Sequence, residues 1–378
     1  MATTIAPTTA AKVGPFERFN QVLRFAVNSK ASDVHIVAGG PFRLRLKGEI
    51  IPAEDNVPLT PSDVATVVAG ILLAGRKATR ENVAQIVQNA TDIDCSYSLP
   101  EVGRFRVNIC SQRGSLSLVL RHIPFQIPDF TKLGLPGVLE KIAMEDRGLV
   151  LLTGTTGSGK STTLAAMVNH VNKSKKAKII TIEDPIEFMY RDEKSNVVQR
   201  EVGTDTESFS KALRAALRQD PDIILVGEMR DTETIDIAVK AAETGHLVFS
   251  TVHTTDAPKT VSRLISVFPP EEQPMVRIRL SENLKGVISQ RLLPRADGSG
   301  RVCACEVMRH TKSIQECIED PEKTSSIKDY IEKGRDMYGM QTFDQHLTEL
   351  YLANIIDFDT AKHAATSPAD FERNLQFQ

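Results

Sequence analysis

Residues 154–161 read Gly154-Thr155-Thr156-Gly157-Ser158-Gly159-Lys160-Ser161, a glycine-rich loop that ends in lysine and serine. Glycines let the backbone curl so that successive amide N–H groups point at one anion. Lys160 has the reach to meet β and γ phosphates, and the Ser161 hydroxyl suits a Mg²⁺ ion. The apolar run Leu149–Leu152 precedes the loop, and a helix-like stretch from Thr162 to Met167 comes after it. That strand, loop and helix order is the context a phosphate-binding loop requires. Gly154, Thr155, Thr156, Gly157, Ser158, Gly159, Lys160, Ser161 and Thr162 are therefore the nucleotide-binding candidates. The loop reads phosphates and not the base, so ATP and GTP are both open from the loop alone.

Three further segments end apolar runs in groups able to act on a phosphate. Pro221–Val226 leads through Gly227 to Glu228, a carboxylate placed to orient or deprotonate water and to approach Mg²⁺. An aspartate often precedes such a glutamate and helps to hold the metal. Gly227 stands there instead, so Ser161, Glu228, the phosphates and water must carry the ion. With Lys160 after a neighbouring predicted strand, Glu228 reads as catalytic rather than as a surface acid. Ile179–Ile182 ends in Glu183 and Asp184, before Pro185. Strand ends at the carboxyl edge of a parallel sheet surround the ligand crevice, so both acids can reach Mg²⁺ or its waters; for Asp184, capping a turn begun by Pro185 is an equal alternative. Leu247–Val252 lies between His246 and His253. His253, at the carboxyl end, could bond a γ phosphate and report its loss, whereas His246 stands at the opposite end.

Arg104 and Arg106 share one strand face, and Arg113 comes next in Gln112-Arg113-Gly114. Guanidinium groups suit bidentate phosphate contact, and these three are candidate arginine fingers. Spacing alone favours a solvated strand face.

Two regions must position these groups. Apolar residues recur at helical spacing over 16–28, and Ser32–Val37 reads as a strand. Phe42–Leu46 alternates apolar residues with arginines. Helices from about Pro61 and strands near 92–99, 104–109 and 116–121 complete a small α+β domain over 15–123. Residues 1–14, rich in Ala, Thr and Pro, read as a disordered tail without a secretory signal, and 124–136, marked by Pro124, Pro128 and Pro136, as a linker. Buried strands then alternate with helices over 137–310, which predicts an α/β fold with a parallel sheet covered on both faces. Residues 311–378 read as mostly helical, with amphipathic stretches at 326–332 and 343–353.

Composition narrows the class. A chain of 378 residues with 41% hydrophobic and 25% charged residues suits two globular domains, and no apolar run approaches the roughly 18 residues that a bilayer demands. Cys95, Cys110, Cys303, Cys305 and Cys317 contain no C-x-x-C pair, which fits free thiols in a reducing compartment and not a structural zinc. A net charge of −2, no Trp and 5% aromatic residues offer neither a basic field nor base-stacking platforms, so nucleic acid is not an expected partner.

Taken together, Gly154–Ser161, Thr181–Phe188, Leu217–Asp231 and Thr244–Thr255 resemble the secretion ATPases of type II secretion and type IV pili. Gly103–Asn108, Gln112–Gly114, Gln290–Pro294 and Gly339–Gln345 narrow the resemblance to the PilT/PilU retraction group, over nearly the whole chain from Phe16. It implies a RecA-like P-loop ATPase core, a PAS-like amino-terminal domain and a helical carboxyl-terminal region. It gives Glu183, Glu228, His246 and His253 active-site roles, and phosphate contacts to Arg104, Arg106 and Arg113. It also implies ATP with Mg²⁺, a homo-hexameric ring with nucleotide between domains and subunits, and work in the cytoplasm at the inner membrane beside a pilus platform protein. Motors of the PilT type carry Ala-Ile-Arg-Asn-Leu-Ile-Arg-Glu where this chain has Ser313-Ile314-Gln315-Glu316-Cys317-Ile318-Glu319-Asp320. Two basic positions are lost and two acids gained, which keeps open an accessory motor of the PilU type acting beside a paralogous ATPase. Cys303-Ala304-Cys305 cannot supply the four-cysteine zinc insertion common in extension and secretion motors.

Overall fold

Pro15 in the first turn and an apolar stripe one helical face wide set α1 (Pro15–Asn28), which buries Phe19, Val22, Leu23 and Ala26. The computed structural model describes residues 13–53, 56–123 and 126–375, so most of the expected tail lies outside the described residues. The chain divides into two compact units at residue 125.

In the first unit, α1 is followed by β1 (Asp33–Val37), β2 (Arg43–Leu46) and β3 (Glu49–Pro52). A reciprocal capping box of Thr60 and Asp63 starts α2 (Pro61–Ala74), and α3 (Val83–Gln88) precedes β4 (Asp92–Leu99), β5 (Gly103–Gln112) and β6 (Ser115–Ile123). The strands form one antiparallel sheet in the order β3-β2-β1-β6-β5-β4. Phe105, Val107 and Ile109 of β5 pack with Leu44, Leu118 and Leu120 under the helices. Arg106 and Asn108 alternate with them and are exposed. Edge strand β3 was not expected: Ile50 and Ile51 are both exposed, so no alternation marks it.

The second unit opens on a segment that the prolines mark as a linker. Pro124 lies outside the described residues, but Asp129 caps a short helix, α4 (Phe130–Leu133), whose Phe130 is buried. Then come α5 (Val138–Ala143), β7 (Gly148–Thr153), α6 (Lys160–Ser174), β8 (Lys178–Glu183) and β9 (Asn196–Glu201). They are followed by α7 (Phe209–Ala216), β10 (Ile223–Val226), α8 (Thr232–Glu243), β11 (Leu247–Val252), α9 (Ala257–Ser266), α10 (Gln273–Asn283), β12 (Leu284–Pro294) and β13 (Arg301–Arg309). The sheet order is β13-β12-β7-β11-β10-β8-β9. Strands β12 through β9 run parallel, and β13 closes the edge antiparallel. Every residue of β7 and β11 is buried, because helices cover both faces. Leu149, Leu151, Ile180, Ile182, Ile224 and Val226 point to the face packed by α7, α8 and α10, while Val150, Leu152, Ile179, Leu225 and Phe249 meet α4, α5 and α6.

Helices α11 (Lys312–Glu319), α12 (Ile327–Lys333), α13 (Arg335–Tyr338), α14 (Phe343–Leu352), α15 (Phe358–Ala364) and α16 (Pro368–Leu375) complete the chain, with a 3₁₀ turn at Pro321–Ser326. The last three pack with Val302 and Ala304 of β13 in a smaller core. No described helix is long and apolar enough to cross a membrane.

Candidate nucleotide site

Parallel strands aim all their carboxyl ends at one edge, so the loops leaving β7, β8, β10 and β11 meet there. After β7 the loop bends through left-handed glycines, with φ of 139° at Gly154, 81° at Gly157 and 91° at Gly159. A β-carbon on Gly154 would lie 2.5 Å from Ser158 Oγ and 2.6 Å from the Gln290 carbonyl oxygen, so no other residue fits this turn. Gly159 is the N-cap of α6 and supplies no side-chain cap, which leaves first-turn N–H groups for an anion.

Lys160 is buried, and its Nζ donates to the carbonyl oxygens of Gly154 at 2.8 Å and Thr155 at 2.9 Å. Burial pulls its pKa below the usual lysine range, and the Glu228 carboxylate opposes that shift. Ser158 Oγ is buried with no partner, whereas Ser161 is exposed in the first turn of α6. An uncapped helix start, an orphaned hydroxyl and an ammonium resting on loop carbonyls fit a polyphosphate. Among the described residues no three of His, Cys, Asp and Glu gather as a ready-made cation site. A divalent ion would rest on the Ser161 hydroxyl and on phosphate and water oxygens, near Glu228.

Glu228 is held by its neighbour. The Gly227 N–H donates to the Ile182 carbonyl oxygen at 2.8 Å, and its own carbonyl accepts from Thr251 Oγ1 at 2.6 Å. The residue is thereby pinned between β8 and β11. The Glu228 carboxylate lies 2.7 Å from Arg230 Nε and 3.7 Å from His253 Nε2. The sequence puts Lys160 and Glu228 on neighbouring strands; in the structure β11 intervenes between β7 and β10. Chain order does not specify spatial order in a sheet with helical crossovers, and the inserted strand is the one that delivers His253.

Glu183 is 8% exposed. It accepts from Thr181 Oγ1 at 2.7 Å, Gln199 Nε2 at 3.3 Å and the Glu187 N–H at 3.3 Å. Burial nevertheless raises its pKa to about 7, because three neutral donors do not replace water around a carboxylate. Asp184 is exposed and joined to Pro185 by a cis peptide bond.

His246 does not join this edge. Its Nδ1 lies 2.9 Å from the Ala241 carbonyl oxygen, and its own carbonyl accepts from Gly148, where β7 begins. At about 3.3 Å per strand residue it stands roughly 20 Å from His253. The arginines belong to the first unit. Arg104 donates to Ser96 Oγ at 2.7 Å and Ser98 Oγ at 3.0 Å, Arg106 is exposed, and Arg113 occupies a left-handed turn position with φ of 48°. Arg113 lies nine positions after Arg104, roughly 30 Å at the rise of a strand, so they form a line rather than a cluster.

Two residues of this edge gave little signal in the sequence. Glu306 of β13, 3% exposed, accepts from the Ala257 N–H at 2.8 Å and Ser289 Oγ at 3.3 Å, and so fixes the start of α9 just beyond His253. Burial raises its pKa to about 7. Its signal is a lone acid inside the apolar run Val302–Met308. Arg230 is two residues from Glu228 and pairs with it, which a charge pattern alone does not reveal.

A family model described as type II/IV secretion system protein matches residues 9–374. The type IV pilus retraction ATPase PilT of Pseudomonas aeruginosa is 44% identical over 351 residues, 93% of this chain and 99% of its own. The type IV pilus ATPase PilU of the same organism is 39% identical over 354 residues, 93% of this chain and 90% of its own. A crystal structure of the pilus retraction motor PilT with bound ADP aligns at a TM-score of 0.83 and 43% identity, covering 94% of this chain and 98% of that one. With its phosphate loop on a RecA-like parallel sheet, the chain belongs to the type II/IV secretion system protein family.

Proposed function

We propose that this chain is the Mg²⁺-dependent ATPase subunit of a homo-hexameric motor that powers type IV pilus retraction, and hence twitching motility. The observation that carries the reading is the convergence of Lys160, Glu183, Glu228 and His253 on the sheet edge where α6 begins uncapped. Likeness to PilT over nearly its full length supplies the substrate and the task.

In this reading the amides of Gly154–Ser161 and the Lys160 ammonium hold the β and γ phosphates of ATP, with Thr162 continuing the first turn. Mg²⁺, when bound, neutralises phosphate charge, and the Ser161 hydroxyl and Glu228 are its protein-side supports. Glu228 leaves Arg230 to orient the attacking water and accept its proton. Glu183 orders water at the neighbouring strand end, and His253 senses the γ phosphate. Arg104, Arg106 and Arg113 bring positive charge to the bound nucleotide when the first unit or a neighbouring subunit closes on it, with only part of that line reaching the transferred group. His246, at the far edge of the sheet, serves the site of the assembled ring rather than its own chain's loop. The ring works in the cytoplasm, peripherally at the inner membrane, against the pilus platform protein and without nucleic acid.

A second reading, an accessory ring of the PilU type that depends on a paralogous ATPase, draws on α11. There Glu316 and Glu319 are exposed on the segment where PilT-type motors carry arginines, so a partner surface that expects positive charge would be repelled.

Steady-state ATP turnover as a function of the chain's own concentration, with Glu228→Gln as control, separates the two. Turnover that rises steeply on assembly and vanishes in the variant identifies an autonomous motor. A ring that binds ATP and scarcely hydrolyses it alone identifies the accessory subunit.

A further inference from the structure

Gln290 sits directly against the phosphate loop on β12. Ser289 is in register with Thr153, so Gln290 continues the strand beside Gly154. Its carbonyl oxygen is one of the two atoms that forbid a side chain there. Its side chain is 2% exposed and turns under α6, where Nε2 donates to Thr163 Oγ1 at 2.7 Å and lies 3.1 Å from Cys303 Sγ. Its Oε1 is buried without a partner.

A buried amide with an orphaned acceptor costs stability relative to an apolar side chain of the same volume. Packing alone does not account for it; the bond to Thr163 does. Thr163 is three residues after Lys160 and two after Ser161, in the first turn of a helix whose N-cap offers no side-chain bond. Gln290 is thus a side-chain tie on that turn from outside the helix. The next residue faces the other way: the Arg291 guanidinium lies 3.9 Å from the Phe343 ring centroid on α14, and it donates to the Ala364 carbonyl oxygen on α15. One strand therefore grips α6 with one side chain and the carboxyl-terminal helices with its neighbour.

We propose that Gln290 is a positioning residue for ATP hydrolysis, setting the angle of the first turn of α6 through Thr163, with Arg291 holding β12 against the carboxyl-terminal helices. This rests on the reading of the loop as the site of ATP hydrolysis. The backbone cradle for phosphate does not depend on the tie. The placement of Lys160 and Ser161 for the transition state does, so the loss falls on kcat rather than on KM.

The test is a double-mutant cycle with Gln290→Met and Thr163→Val, read as kcat, KM for ATP and melting temperature. Each single variant is expected to lower kcat about tenfold with KM within about threefold, Gln290→Met without a lower melting temperature and Thr163→Val with a lower one because it leaves the buried amide unpaired, and the double variant to be no slower than the worse single. Thr163→Ser, which keeps the hydroxyl, is expected to retain wild-type kcat. Undiminished kcat in both singles, or losses that multiply in the double, would overturn the proposal. Should Gln290→Met fail to fold, Thr163→Val against Thr163→Ser decides: equal turnover in the two sinks the tie. A wild-type chain without turnover sinks the hydrolytic reading along with it, whereas an active wild type with indifferent variants sinks the tie alone.

Discussion

The arginines of the first unit and the charged and polar side chains of the second unit's sheet edge differ in arrangement. In the antiparallel sheet, successive strand ends point in opposite directions, so Arg104, Arg106 and Arg113 are strung along one hairpin. In the parallel sheet all strands end at one edge, so residues far apart in sequence, Lys160, Glu183, Glu228 and His253, come together. Parallel topology builds a site from strand ends; an antiparallel hairpin builds a surface that needs something brought to it.

The comparison breaks most sharply at Lys160. Lys160→Ala should abolish binding of fluorescent ATP or ADP; wild-type affinity would remove the loop edge from consideration. Glu228→Gln should keep nucleotide affinity and lower turnover about a thousandfold, within the usual range for a lost general base. Undiminished turnover would leave the edge as a binding surface only. Arg104→Ala, Arg106→Ala and Arg113→Ala should give unequal losses in kcat, because side chains strung over roughly 30 Å cannot all meet one phosphate. Three equal losses would mean that the line is gathered after all. At the two ends of β11, His253→Ala should slow turnover about tenfold, while His246→Ala should leave the chain's ADP affinity within about twofold.

The smallest effect concerns stability. The raised pKa of Glu306 means that the folded chain holds a proton up to about pH 7, where the unfolded chain has lost it near 4.5. Stability from this group is complete below 4.5 and falls as pH rises towards 7, by about 3 kcal/mol at the limit. Glu306→Gln should therefore melt higher than wild type at pH 8, with that advantage shrinking as pH falls from 7 towards 4.5. A difference that does not change with pH would show that the carboxyl is ionised throughout.

Much of this was legible because the chemistry sits where local pattern is strongest. Gly154–Ser161 and Glu228 come after the apolar runs Leu149–Leu152 and Ile223–Val226, and His253 after a run broken only by Ser250 and Thr251; the buried strands of a covered parallel sheet make such runs. Strand order was not legible, and β11 came between two strands expected to be neighbours. Strand β9 carries Gln199, Arg200 and Glu201 and offers no apolar run, and the hairpin of β12 and β13 breaks its own pattern with Gln290, Arg291 and Glu306. Those residues are polar for tertiary reasons: Gln290 bonds Thr163, and Glu306 bonds the start of α9. Their partners are 127 and 49 residues away, beyond any local window.

Gly227 carries an evolutionary consequence. A β-carbon there would lie 3.2 Å from the Ile182 carbonyl oxygen and 3.4 Å from Glu183 Cα, in backbone already hydrogen-bonded on both sides. An aspartate before Glu228, the acid that many nucleotide sites add for their metal, would enter only with β8 giving way by a few tenths of an ångström. The backbone hydrogen bonds on both sides of Gly227 thus weigh against a further acid at this point of the edge, and a lineage that needed another metal ligand would find it more readily elsewhere.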